Sequence, residues 1–254
     1  MHTPWSIMTK FSKRIKTSSK TSSIILANDY SNRIPKLESK TIQNIKSLHE
    51  YICGIKINFH LLLKLGNKEI QKINKTAHNY GLQSIADIKL NDIGNTNLVT
   101  LENLWQLDFD AVIVNPIMGP KSLKKIIQNS HKKGKGVIAL CHMSSPEARI
   151  SYEMDVTRKN GSKKTPLYQI FLNWAIKNNS DGIVVGATYP NIIKFCKHKV
   201  GSNLAIYSPG VGMQGGDPFK AKKLGSDFLI VGRTILNSKN PIQTAKNLVI
   251  NSTL

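Results

Sequence analysis

The chain has 254 residues, 40% of them hydrophobic, and carries a net charge of +21 from 36 Lys and Arg against 15 Asp and Glu. A globular chain of this length buries roughly 70–75% of its unfolded surface and needs no disulfide framework; with no run of 18 apolar residues, a membrane-spanning helix is excluded. The positive charge attracts anions, but the lysines are scattered along helical segments without a nucleic-acid-binding motif, so charge alone does not indicate a nucleic-acid partner.

The amino terminus and the cysteines bear on processing and compartment. Residues 1–23 are basic and rich in Ser and Thr, but they lack the apolar core of a signal peptide. We therefore expect a flexible basic tail over residues 1–23, followed by a single domain over residues 24–254. Three widely spaced cysteines without a CxxC pair indicate a reducing compartment and hence a cytoplasmic protein.

Short apolar runs rich in β-branched residues predict buried strands along the chain. Their near-continuous apolar character is typical of parallel strands that are covered on both faces. In chain order the runs are IILAND (24–29), CGIKIN (53–58), SIADIKL (84–90), AVIVNP (111–116), GVIALC (136–141), GIVVGA (182–187), AIYSPGVG (205–212) and FLIVGR (228–233).

The segments between these runs predict helices. Ile42, Ile45 and Leu48 follow a three-to-four spacing, and Gly81 and Gly134 stand where helix carboxyl ends are expected. The strand–helix alternation predicts an α/β fold with a parallel sheet, and eight strands are the number that closes a (β/α)8 TIM barrel. An open doubly wound sheet is the rival fold, but no GxGxxG motif follows the first strand.

Polar residues cluster where these strands end, which is where a TIM barrel carries its chemistry. Asp87 and Lys89 are two apart on the third strand and face the same side, with Asp92 just beyond them. The other polar residues at strand ends are Asp29, Lys56, Asn115, Ser144 and Arg233. An internal ion-pair network is the alternative, but buried ion pairs often add little net stability, so we interpret the cluster as a site.

A glycine-rich loop follows the seventh strand. Its sequence is SPGVGMQGGDP (208–218), and VGRT (231–234) follows the eighth strand. Loops after strands seven and eight form the usual phosphate site of a TIM barrel. Glycines let backbone N–H groups approach phosphate oxygens, and Arg233 can add a bidentate contact. The alternative is a plain turn with a structural arginine.

Together these motifs resemble orotidine 5′-phosphate decarboxylase, most closely its compact archaeal type. The matching residues are Asp87-x-Lys89-x-x-Asp92-Ile93 with Lys56 upstream, Pro209-Gly-Val-Gly with Gln214-Gly-Gly-Asp, and Gly232-Arg233. The resemblance covers roughly residues 24–236. It implies a homodimeric (β/α)8 barrel that converts orotidine monophosphate to uridine monophosphate with neither a metal nor an organic cofactor.

The resemblance also implies a role for each matching residue. Lys89 would donate a proton to C6 of the pyrimidine, Asp87 would face the departing carboxylate, and Asp92 would enter from the partner subunit, so that the subunits share their active sites. Lys56 would complete this alternating array of charges. The substrate-binding residues would be Asp29, Lys56 and the partner's Thr96 at the ribose, Ser144, Pro209 and Val211 at the pyrimidine, Gln214, Gly232 and Arg233 at the phosphate, and Ile93 beside Asp92.

Two other functions fit part of the pattern. A Mg²⁺-dependent sugar-phosphate lyase or decarboxylase, such as a hexulose-phosphate synthase, shares a DxKxxD-like third strand but binds its metal with a carboxylate on the second strand. Lys56 stands on that strand here and would repel a metal ion. A non-catalytic, basic nucleic-acid-binding barrel is disfavoured because aromatic residues make up only 7% of the chain, which leaves few stacking platforms. We expect neither a membrane nor a specific nucleic acid as a partner.

Three further features stand outside the family pattern. Asn115-Pro116 ends the fourth strand where a His-Gly-like pair is expected, which changes the local loop. The polar segment over residues 145–166 predicts a mobile flap or a disordered insertion. Cys141-His142 has no partner ligands at metal spacing, so no metal site is predicted.

Overall fold

The computed structural model describes residues 10–30, 34–157 and 164–253. Its parallel strands close into an eight-stranded barrel, which confirms the predicted (β/α)8 fold. The barrel strands are β1 (Ile24–Asn28), β2 (Gly54–Asn58), β3 (Gln83–Leu90), β4 (Ala111–Val114), β5 (Gly136–His142), β6 (Gly182–Val185), β7 (Ala205–Pro209) and β8 (Phe228–Val231). Each strand pairs with its neighbours in sequence, and β8 pairs with β1 to close the barrel.

Helices surround the barrel and connect its strands. In the described part of the chain they are α1 (Lys10–Ser18), α2 (Leu37–Leu48), α3 (Phe59–Leu62), α4 (Asn67–Asn79), α5 (Gly94–Gln106), α6 (Pro120–Lys132), α7 (Ala148–Ser151), α8 (Leu167–Lys177), α9 (Pro190–Val200), α10 (Pro218–Lys223), α11 (Arg233–Leu236) and α12 (Pro241–Thr253). Short 3₁₀ turns cover His49–Tyr51 and Pro116–Met118. No helix among the described residues is long and apolar enough to cross a membrane.

The expected tail over residues 1–23 requires a correction. Residues 10–18 form α1, which lies against the amino-terminal end of the barrel with Phe11 and Ile15 buried. A Cβ on Gly136 would lie 2.2 Å from the ring of Phe11, so β5 accepts this helix only through a glycine. Arg14 binds Gln83, the carbonyl of Gly134 and Asp110. Residues 1–9 lie outside the described residues, and the expectation for them is not tested.

Aspartates immediately before β4, β6 and β8 join these strands to the strands that precede them at the amino-terminal end of the barrel. Each carboxylate accepts the N–H of the second residue of the preceding strand, at 2.8–2.9 Å. A basic side chain then pairs with each carboxylate. Asp110 and Asp181 are buried, and a buried charge needs a partner. The pairs are Asp110 with His78 and Arg14, Asp181 with His131, and Asp227 with Lys197.

Replacing Asp110 with Asn is expected to lower the free energy of unfolding by about 2–4 kcal/mol at pH 7. Burial by itself would raise the pKa of Asp110, but hydrogen bonds from His78 and Ser84 and the charges of His78 and Arg14 lower it. The carboxylate therefore stabilises the fold above its ordinary pKa near 4, and that contribution is lost as the pH falls through the lowered pKa.

Urea unfolding at pH 7 and at lower pH measures the difference, which is expected to shrink in acid. Asp108→Asn, an exposed carboxylate two residues away, is the matched control and is expected to change stability by less than about 0.5 kcal/mol. Equal effects of the two substitutions would contradict the assigned role of Asp110.

The polar segment after β5 is folded where it is described. It contains α7, and Asp155–Val156 pairs antiparallel with Thr165–Pro166. Ala148 and Tyr152 are buried against the barrel. The expectation of a disordered insertion is therefore wrong for residues 145–157 and 164–166, because burial of Ala148 and Tyr152 holds the first part and antiparallel pairing joins the second part to it. Residues 158–163 lie outside the described residues.

Candidate active site

Charged side chains of β2 and β3 meet at the carboxyl-terminal mouth of the barrel. Lys56 Nζ lies 2.7 Å from Asp87 Oδ2, and Lys89 Nζ lies 2.9 Å from Asp87 Oδ1. The strands are in register so that Asn58 is the partner of Asp87, which brings the two lysines to opposite oxygens of one carboxylate. The prediction that Asp87 and Lys89 face the same side is confirmed.

The environment of Asp87 fixes its charge. Its side chain is almost fully buried, as is that of Lys56, whereas the side chain of Lys89 is 42% exposed. Burial by itself would raise the pKa of Asp87, but the two lysine charges and their hydrogen bonds outweigh burial and lower the pKa. Asp87 is therefore a carboxylate at neutral pH, and Lys89 is its solvent-facing partner.

Backbone strain coincides with Lys89. The register between β3 and β4 shifts after Asp87, and the φ of Lys89 is +45°, in the left-handed region. A non-glycine residue adopts this conformation only where the surrounding structure imposes it, and such residues cluster at functional sites. The side chain carried by this irregular backbone is the one that pairs with Asp87 at 2.9 Å.

Asn58 belongs to the site, although sequence analysis did not select it. Its Nδ2 donates to Asp29 Oδ1 at 3.0 Å, and its Oδ1 accepts from Lys56 Nζ. Asn58 thereby joins the end of β1 to the charged pair on β2 and β3. The two-residue spacing from Lys56 on one strand would have found it, since it is the rule that linked Asp87 to Lys89.

The glycine-rich loop after β7 contacts the loop after β8. Gly210, Gly212 and Gly215 have φ of +90°, +74° and +89°, and a Cβ on Gly212 would lie 2.4 Å from Thr234 Oγ1. Thr234 Oγ1 donates to the carbonyl of Val211 and accepts from the N–H of Met213. The glycines therefore allow a close contact that fixes one loop on the other.

Ser144, after β5, reaches the same loop from across the mouth. Its hydroxyl donates to Gln214 Oε1 at 2.9 Å. The two residues are 70 positions apart, and their contact joins the predicted pyrimidine and phosphate ends of the site.

A single cleft collects most of the predicted residues. It is lined by Ala27, Asp29, Lys56, Asn58, Pro209, Gly210, Val211, Met213, Gln214, Ile230, Gly232, Arg233 and Thr234. Arg233 Nε lies 3.9 Å from Asp29 Oδ2, so a cation and a carboxylate face each other across the entrance. Asp87 and Lys89 adjoin this cleft through Lys56.

Asp92, Ile93 and Thr96 are exposed and lie outside the cleft. Within the described residues of this chain, Lys89 has one ion-pair partner, Asp87, and Asp92 does not contact it. Asn115 has a local structural role: its side chain accepts a hydrogen bond from the N–H of Ile117 at the start of a 3₁₀ turn.

A second cleft lies between α5 and α6 and lacks the paired charges found at the barrel mouth. Its lining residues are Gly94, Asn97, Leu98, Lys121, Ser122, Lys125 and Ile126, with no carboxylate among them. No group of three or more His, Cys, Asp or Glu side chains in the described part of the chain could hold a metal ion. The mouth of the barrel is therefore the candidate active site.

Comparisons with known proteins point to one family. A family model described as orotidine 5′-phosphate decarboxylase / HUMPS family matches residues 22–248. The orotidine 5′-phosphate decarboxylase of Pyrococcus furiosus is 29% identical over 89% of this chain and 95% of its own length. That of Methanosarcina mazei is 31% identical over 87% of this chain and 91% of its own length.

A solved structure shares the fold. Orotidine 5′-monophosphate decarboxylase from Methanocaldococcus jannaschii, crystallised with the inhibitor BMP, superposes with a TM-score of 0.77 at 26% identity. The match covers 92% of this chain and 100% of that chain.

Proposed function

The chain belongs to the orotidine 5′-phosphate decarboxylase / HUMPS family, and on that premise we propose that it decarboxylates orotidine 5′-monophosphate to uridine 5′-monophosphate. The observation that carries this proposal is the Lys56–Asp87–Lys89 array at 2.7 and 2.9 Å, next to a glycine-rich loop and Arg233. The reaction is a step of pyrimidine biosynthesis, and we place it in the cytoplasm.

Lys89 is the proton donor in this proposal. Loss of CO₂ from C6 leaves negative charge that the pyrimidine ring does not delocalise, so a fixed cation must stabilise it as it develops. The Lys89 ammonium is held by Asp87 at 2.9 Å yet remains 42% exposed toward the mouth. The same group then transfers a proton to C6, which completes uridine monophosphate and leaves a neutral amine.

Asp87 and Lys56 set the charge around the reacting carbon. Asp87 is ionised because the lysine charges outweigh its burial, and it faces the departing carboxylate. Two like charges repel, and the repulsion ends when the substrate carboxylate becomes neutral CO₂. Lys56, buried beside Asp87, keeps this carboxylate in place.

The remaining cleft residues bind the rest of the nucleotide. Asp29 and Lys56 bind the ribose hydroxyls, and Ser144, Pro209 and Val211 line the pyrimidine pocket. Gln214, Gly232 and Arg233 hold the phosphate, where the glycines expose backbone N–H groups. The binding energy of this remote phosphate orients C6 against Lys89.

Arg233→Ala is expected to weaken binding of phosphate-bearing ligands by roughly 2–4 kcal/mol, the scale on which removal of one charge-assisted hydrogen bond weakens binding in a closed site. Inhibition constants for uridine monophosphate and for uridine measure the effect, which is expected to disappear for the nucleoside. Lys132→Ala removes one exposed cation at the far end of α6 and serves as the matched control. An equal weakening for both ligands would assign Arg233 a structural role.

We also propose a homodimer with shared active sites. Large apolar side chains are exposed after three neighbouring strands: Leu63 (71%) after β2, Ile93 (70%) after β3 and Ile117 (56%) after β4. Because these strands are adjacent in the barrel, the residues lie along one edge of the mouth, beside Asp92. A second copy covering this edge brings Asp92, Ile93 and Thr96 of the partner subunit to the site.

The family name also includes the sugar-phosphate branch, which the residues of β2 disfavour. Lys56 occupies the strand that carries a metal-binding carboxylate in that branch, and it pairs directly with Asp87 at 2.7 Å. A magnesium ion at Asp87 would displace this ammonium and meet its charge. We assign no metal and no organic cofactor to the reaction.

The deciding experiment follows ultraviolet absorbance as purified protein meets orotidine monophosphate, with and without excess EDTA. We expect uridine monophosphate and CO₂ at the same rate in both conditions. Unchanged orotidine monophosphate, together with Mg²⁺-dependent cleavage of a hexulose phosphate that EDTA abolishes, would overturn the proposal in favour of the sugar-phosphate branch.

A further inference from the structure

His142 is a buried side chain at the mouth that the proposed function does not use. It is the last residue of β5, two positions before Ser144, and it is fully buried. Its Nδ1 lies 2.8 Å from the carbonyl of Met143, and its Nε2 lies 3.3 Å from Glu153 Oε1. Burial lowers the pKa of His142 more than Met143 and Glu153 raise it. The neutral ring has one N–H, and we place it on Nδ1 because the contact with the Met143 carbonyl is shorter than the contact with Glu153.

Aromatic rings surround His142 on several sides. The ring centroid of Tyr189 lies 4.3 Å away, and those of Tyr152 and Tyr168 lie 5.7 and 5.9 Å away. These residues come from the loop after β5, from α8 and from the turn before α9. These rings hold the imidazole in one orientation, in which Nδ1 lies toward the carbonyl of Met143.

The three consecutive carbonyls of residues 143–145 each accept a hydrogen bond from a side chain. His142 binds the carbonyl of Met143, Thr188 Oγ1 donates to that of Ser144 at 3.0 Å, and the Tyr189 hydroxyl donates to that of Ser145 at 2.7 Å. A loop whose backbone is held at three consecutive carbonyls has little freedom to redirect the Cα–Cβ bond of the side chain it carries. That side chain is Ser144, whose hydroxyl points to Gln214 at 2.9 Å.

We propose that His142 is a positioning residue, which holds the backbone of residues 143–145 so that the Ser144 hydroxyl is presented at the mouth of the barrel. The inference rests on the proposed function for the role of Ser144 against the pyrimidine. His142 itself touches no reacting atom.

Two substitutions separate the two properties of His142. His142→Phe keeps a ring among the tyrosines but has no N–H for Met143. His142→Asn keeps an N–H at the position of Nδ1 but removes most of the ring. If the residue positions Ser144, the Phe variant lowers kcat/KM about tenfold, the effect of removing one buried hydrogen bond, while the Asn variant stays within about threefold of the wild type.

Thermal stability follows the opposite order, because ring burial contributes more than the N–H to the fold. We expect the Asn variant to have the lower Tm and the higher activity. Activity that falls in proportion to Tm across both variants would assign His142 a structural role alone and overturn the proposal.

Coupling to Ser144 is the decisive readout. In a Ser144→Ala background, His142→Phe is expected to change kcat/KM by less than about twofold, because residues that act through one another are not additive. Should His142→Phe not fold, Tyr189→Phe, which removes only the hydroxyl bound to the carbonyl of Ser145, tests whether anchoring of this loop acts through Ser144. A full tenfold decrease in the Ser144→Ala background overturns the inference.

Hydrogen exchange of the unliganded protein distinguishes this inference from the proposed function. His142→Phe is expected to speed exchange of the amides of Met143, Ser144, Ser145 and Glu147 at least tenfold, and unchanged exchange at these residues contradicts the anchoring. If wild-type protein leaves orotidine monophosphate unchanged, the proposed function fails, and the exchange result still decides whether His142 fixes the loop.

Discussion

Lys89→Ala is expected to lower kcat for orotidine monophosphate by several orders of magnitude, on the order of 10³-fold or more. The substitution removes both the cation that stabilises charge at C6 and the proton that neutralises it. It leaves Asp87 paired, since Lys56 stays 2.7 Å from the other carboxylate oxygen. The barrel should therefore fold, and the decrease should lie in turnover.

Single-turnover kinetics measure the decrease, with circular dichroism and binding of uridine monophosphate as checks on folding. Lys132→Ala, at the far end of α6, is the control for removal of one positive charge. A Lys89→Ala variant that keeps more than about a tenth of the wild-type kcat would show that Lys89 is not the acid.

The fold could be predicted from the sequence because parallel strands covered on both faces leave a strong signal. The strand β1 is buried at every position from Ile24 to Asn28, and β4, β6 and β8 are buried throughout as well. A helix whose contacts lie far along the chain leaves no such signal. The sequence of helix α1 resembles a tail because Phe11 and Ile15 stand among lysines and serines, while the acceptors of Arg14 lie 69 to 120 positions away.

Some features of the candidate site follow from local sequence patterns, whereas others depend on contacts between distant segments. Strand periodicity predicts that Asp87 and Lys89 share a face and that Asn58 lies beside Lys56, but the irregular backbone at Lys89 sets how its side chain meets Asp87. The contact between Ser144 and Gln214 depends on how two loops approach each other across the barrel. The positive φ of Lys89 depends on a register shift between β3 and β4. No local pattern encodes either feature, because both arise only when distant segments pack.

The position of Asp92 within one chain does not match its role in the proposed chemistry. The proposed array places the Asp92 carboxylate beside Lys89, yet Asp92 of the same chain is exposed and makes no ion pair with Lys89 among the described residues. Exposed Ile93 beside it marks an edge that a second copy covers in the proposed dimer. Each site then combines Lys89 of one chain with Asp92 of the other.

Mixing Lys89→Ala and Asp92→Ala subunits is therefore expected to restore activity that neither homodimer has. In the heterodimer both lesions fall in one site and the other site is native, so activity approaches about half of the wild-type value per heterodimer in a symmetric two-site dimer. Co-expression with two affinity tags isolates the heterodimer, and native mass spectrometry verifies it.

The matched control mixes Lys89→Ala with Asp87→Ala. These residues pair within one chain at 2.9 Å, so every site of that heterodimer carries a lesion and no activity should return. If the Lys89→Ala and Asp92→Ala heterodimer is as inactive as this control, Asp92 serves its own chain and the shared-site model is wrong.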